Sequence, residues 1–161
     1  MRNPFLIFFL ACICFVSLLI LPTDSKPIFD MKFESNEVTY CFYSDRSNEK
    51  INSTYVVESG IYNMFYCENK NVVSIKKLLK SNLFGESISI KNATKKDIEK
   101  VLKKANDYNI FFENFDNLKI YYCYNCKFPK YVILNDKKVN LQIAFCENNI
   151  TMGYPIILGE Y

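Results

Sequence analysis

Apolar and polar positions divide this chain into one long apolar run followed by many short, patterned segments. Arg2 precedes an apolar stretch from Phe5 to Leu21, broken only by Ser17 and closed by Pro22, Thr23, Asp24 and Ser25. Beyond it, Glu37–Tyr43 and Tyr62–Cys67 are rich in aromatic residues and predict strands, with a shorter extended piece at Thr54–Val57. From Asn71 to Leu83 the residues Val72, Ile75, Leu78, Leu79 and Leu83 recur at helical spacing, and Gly85 supplies a stop. Ser87–Ile90 alternates and predicts a short strand. Thr94 and Asp97 then form a capping-box pattern, opening a helix whose stripe is Ile98, Val101, Leu102 and Ala105 and which ends near Asn106.

The remainder predicts strands: Ile110–Phe112, Leu118–Tyr124, Tyr131–Leu134, Val139–Cys146 and Ile150–Met152. Asn135–Lys138 and Glu147–Asn149 are turn material, so the last three strands predict an antiparallel meander. Pro155 interrupts pairing, leaving Ile156–Leu158 as an edge or a buried tail.

The apolar run changes how everything after it is read. A basic start, a long apolar centre and a polar close describe a secretory signal peptide or an amino-terminal membrane anchor, residues 1–25. Its 17 residues lie at the lower limit for a bilayer-spanning helix and above the usual signal-peptide core, so both removal and retention stay open. Phe9-Leu10-Ala11-Cys12 faintly resembles a lipoprotein box, but Ile13–Leu21 continue the apolar run past the cysteine. Either way residues 26–161 are expected outside the cytoplasmic membrane, as one extracytoplasmic domain whose length suffices for its own core.

The formal net charge of +3 is too mild to imply a nucleic-acid partner. Histidine is absent, which excludes a histidine general base, Ser-His and Cys-His nucleophile pairs and imidazole metal ligands. Lys95, Lys96, Lys100, Lys103 and Lys104 could meet phosphate or anionic lipid, but a solvated helix face diluted by Asp97, Glu99 and Asp107 is the reading preferred. No catalytic constellation, cofactor loop or paired-carboxylate metal site is recognisable.

Five cysteines follow the leader. Cys41, Cys67 and Cys146 sit in aromatic strand segments and read as small buried apolar residues. Cys123-Tyr-Asn-Cys126 is the sharpest local motif, reading as a turn disulfide or two idle thiols; a thiol–disulfide oxidoreductase is the alternative. No helix follows it to acidify the first thiol, and a zinc half-site would need two further thiols. Sequons at Asn52, Asn92 and Asn149 would be glycan acceptors in a eukaryotic or viral secreted glycoprotein, a further alternative, though asparagine is so frequent here that they discriminate little.

Residues Lys138–Ala144 and Asn149–Tyr161 resemble the closing signature of the YwmB-like secreted proteins of Gram-positive bacteria, carried by Asn140, Gln142, Gly153, Pro155, Glu160 and Tyr161. The resemblance covers the last quarter of the chain, with Cys126-Lys-Phe-Pro129 replacing the family's usual Gly-Tyr-x-Pro. It implies an α+β fold: a mostly antiparallel sheet with two helices packed on one face, similar in shape to the TATA-box-binding protein. DNA binding is not implied, and the family lends no established activity. The expectation is a noncatalytic exported or envelope-anchored domain, using no cofactor, with a cell-wall component or envelope protein as partner. Membrane contact would run through the leader if it is retained.

Overall fold

Alternation of side chains along extended segments sends residues of one parity to each face of a sheet, and this chain has apolar residues of both parities. The computed structural model describes residues 29, 31–45, 55–58, 62–79 and 82–158, so the leader 1–25, Glu160 and Tyr161 lie outside the described residues. Ten strands are described: β1 (Glu37–Ser44), β2 (Tyr55–Glu58), β3 (Asn63–Glu68), β4 (Leu83–Lys91), β5 (Asn109–Phe115), β6 (Leu118–Cys123), β7 (Val132–Leu134), β8 (Lys137–Val139), β9 (Leu141–Cys146) and β10 (Asn149–Tyr154). Helix α1 (Val72–Leu79), preceded by a 3-10 turn, joins β3 to β4, and α2 (Lys95–Tyr108) joins β4 to β5.

Eight strands form one sheet in the order β2-β3-β1-β4-β10-β9-β6-β5, antiparallel at every neighbouring pair. The protein is therefore α+β, mostly antiparallel sheet with two helices. Because β3 and β4 flank β1, they run parallel to each other, and α1 is the crossover between them. Tyr40 and Phe42, Phe65 and Cys67, Ile88 and Ile90, and Leu141 and Ile143 point to one face, where α1 and α2 bury Val72, Ile75, Leu79, Val101 and Ala105 against them.

The capping box predicted at Thr94 is present: Thr94 Oγ1 accepts from the Asp97 N–H and an Asp97 oxygen accepts from the Thr94 N–H, each at 3.2 Å. Ile98 and Leu102 pack at the edge of the core, completing the predicted stripe.

Several boundaries differ from the sequence expectation. Helix α1 stops at Leu79, and Gly85 lies inside β4 rather than at a helix end. Leu78 is 49% exposed; Lys76 takes the inward position instead, its Nζ 2.8 Å from Glu86 Oε2 on β4. The predicted strand Val139–Cys146 is split at Asn140 into β8 and β9. The expected three-stranded meander is not formed: β7 and β8 make a separate hairpin inserted between β6 and β9, which pair directly. Its turn is Asn135-Asp136, both at positive φ, the conformation a tight hairpin requires.

Among the described residues no helix lies on the second face of the sheet. After the cis Tyr154–Pro155 bond the chain folds back across it, and Ile157 packs on Ile120 and Ala144. Gln142 Oε1 accepts the Ile157 N–H at 2.9 Å, and the Leu158 N–H donates to Tyr43 Oη, which itself donates to Ser87 Oγ.

Asp97 is the most connected polar side chain of the helix layer. Besides closing its own helix it accepts the backbone N–H of Glu34 at 2.9 Å and of Ser35 at 3.1 Å. Burial raises its pKa, but those bonds and the Thr94 contacts outweigh that and leave it below the ordinary carboxylate value. A depressed folded-state pKa contributes stability above the unfolded value that is lost as pH falls through the folded one. Asp97→Ala is accordingly expected to destabilise by about 2 kcal/mol at neutral pH, the sum of a lost cap and lost charged hydrogen bonds. In urea titrations the gap from wild type should close as pH drops below the usual carboxylate range.

Candidate functional site

The segment leading into β1 is held along α2 by several contacts. Phe29 is buried, and Lys104 Nζ lies 3.6 Å from Met31 Sδ. Lys100 Nζ donates to the Lys32 carbonyl at 2.8 Å and sits 5.7 Å from the Phe33 ring centroid. Lys96 pairs with Glu34 at 2.9 Å, and Ser35 Oγ donates to the Lys91 carbonyl at 2.6 Å. Three of the five lysines expected on a solvated face thus grip the leading segment; Lys95 and Lys103 remain exposed. Lys104 has a lowered pKa, first through burial and then through Lys100.

Held there, the segment forms one wall of a groove of about 770 Å³, whose other wall is the end of β3 and the start of α1. The apolar lining comes from Met31, Phe33, Val38, Tyr40, Val72 and Val73. Lys32, Ser35, Asn36, Asn69 and the Lys70–Glu68 pair, at 2.8 Å, supply its polar lining. A concave surface with an apolar lining and a few polar groups is the ordinary form of a small-ligand site. The cleft brings residues near 31–38 against residues 68–73, separations that no local pattern discloses.

The Cys123–Cys126 pair lies elsewhere, at the end of β6. Cys123 is buried beneath α2, its Sγ 3.6 Å from the Ala105 carbonyl oxygen, whereas Cys126 is exposed; both thiols are free. Burial pushes Cys123 up to about 12, and Cys41 and Cys67 likewise. An oxidoreductase needs the opposite, an acidic accessible thiol. Cys41 and Cys67 occupy adjacent strands but opposite faces, so neither can reach the other. Cys146 is half-buried. Among the described residues no cluster of three or more cysteine, aspartate or glutamate side chains is gathered to hold a metal ion.

Asn140 organises the loop that carries Cys126. Its Oδ1 accepts the Asn125 N–H at 2.8 Å, and its Nδ2 donates to the carbonyls of Asn125 and Phe128. Gln142 and Gly153 serve the folded-back tail: a Cβ on Gly153 would strike the Ile156 and Ile157 backbone, and one on Gly85 would strike Tyr154. Asn92 is exposed at positive φ and donates to Glu37, while Asn149 accepts from the Asn92 N–H. The Asn52 sequon lies outside the described residues.

Comparison of the chain with family models, with curated proteins and with solved structures finds no match. Among the described residues no helix is long and apolar enough to cross a membrane.

Two outcomes are expected. Alkylation of the native protein near neutral pH should modify Cys126 first and Cys146 more slowly, with Cys41, Cys67 and Cys123 reacting only after unfolding, as peptide mass spectrometry reads; a fast Cys123 contradicts this. Gly153→Ala should lower stability by about 1–3 kcal/mol, the range for overpacking a filled site, and should make the carboxy-terminal residues a carboxypeptidase substrate.

Proposed function

We propose that this chain is a noncatalytic exported domain, released from or tethered to the outer face of the cytoplasmic membrane, that binds a cell-envelope component or envelope protein. The observation that carries the reading is the groove beside the leading segment, lined by apolar and polar side chains together. The lack of histidine and the burial of Cys123 support a binding role over thiol exchange.

The YwmB-like, TATA-box-binding-protein-like arrangement belongs to the same proposal. Its support is that Gln142, Gly153 and Pro155 of the resemblance lie together where the chain turns back over the sheet, while Asn140 braces the neighbouring loop. A role without nucleic acid is supported by the covers on both sheet faces, helices on one and the tail across the other.

Fractionation of expressing cells, with the intact mass of the recovered chain, tests the proposal. Recovery from the membrane fraction with the leader, or from the medium without it, is expected. Full-length, leader-bearing protein free in the cytosol would overturn it.

A further inference from the structure

We infer that the groove takes a single-chain anionic amphiphile drawn from the membrane beside it, an acyl chain against the apolar wall and an acidic head at the lysine-bearing rim. The inference rests on the exported, membrane-proximal reading above and adds the ligand class to it.

Three features point the same way. First, the described lining mixes both chemistries: Phe33, Val38, Val72 and Val73 provide apolar surface, and Lys32 and Lys70 carry positive charge beside them. Among the described lining residues Glu68 is the one acid, and Lys70 pairs with it at 2.8 Å, while Lys32 is a second cation of the lining. An acyl chain buries apolar area at about 25 cal/mol per Å², and an acidic head meets charge of the opposite sign. Second, a volume near 770 Å³ falls in the range of clefts that take small organic ligands. Third, Met31 lines the groove only ten residues after Leu21, where the apolar run ends. Ten residues span at most about 35 Å, so a leader in the bilayer keeps the groove within that distance of lipid.

The full chain in phosphatidylcholine vesicles, titrated with dansyl-undecanoic acid, tests this. Saturable binding with a blue-shifted emission is expected. Val73 is 51% exposed and lies on the groove wall, so Val73→Asp should keep the fold and weaken binding about tenfold, the effect of one lost apolar contact plus a like charge. Lys32→Glu should weaken it several-fold and remove most of its salt dependence. Phe112→Asp, on the exposed edge strand β5, should change nothing. No saturable binding, or equal binding by wild type and Val73→Asp, overturns the inference. An envelope-localised chain that fails to bind the probe sinks the ligand class alone. A cytosolic chain that binds it through Val73 keeps the ligand class and overturns the membrane source.

Discussion

One carboxylate links the helix layer to the chain that enters it. Asp97 closes the first turn of α2 and, with the same two oxygens, accepts the backbone N–H groups of Glu34 and Ser35. A helix amino terminus has unpartnered N–H groups and a positive dipole end, so an aspartate there is favoured in its ionised form. Here that favoured charge also orders residues 62 and 63 positions earlier in sequence. The groove exists because of it: its near wall is the segment that Asp97 and the α2 lysines hold down.

The sheet is covered by two unlike layers. On one face amphipathic helices bury ordinary aliphatic stripes, with one ionic exception, Lys76 and Glu86, both almost fully buried. Removing one member of such a pair strands a charge and costs about 3–5 kcal/mol, although an apolar pair of the same volume would serve as well. The pair therefore fixes α1 over β4 more than it adds stability. On the other face the described cover is the stretch around Ile157, and close approach replaces bulk. Gly85 and Gly153 bring backbone onto backbone there, and Gln142, Tyr43 and Ser87 satisfy the groups that approach buries.

What the chain reveals unaided follows from how local each determinant is. Helix α2 is legible because its cap, its stripe and its lysines all lie within fifteen residues and agree. The end of α1 is not: Leu83 continues the helical spacing and Gly85 looks like a stop, yet Gly85 answers to Tyr154, some seventy residues away. Asn140 reads as one more strand residue until its side chain is seen bracing a loop fifteen positions earlier. The apolar strands are visible from their composition, but the order in which they pair is not, and the β7–β8 hairpin passes for part of a meander. The groove is the least legible feature, since Phe33 and Val73 come to line it together only after β1 and α1 have packed.

The position of β10 has a consequence for biosynthesis. It is the last of the described strands in chain order, yet it lies in the middle of the sheet, between β4 and β9. Until Asn149–Tyr154 have been translated, the β4 edge and the β9 edge have no strand between them, and only α2 spans from one half to the other. The same topology makes premature termination costly: a fragment stopped before Asn149 would carry two raw strand edges, and edges of that kind pair with other chains.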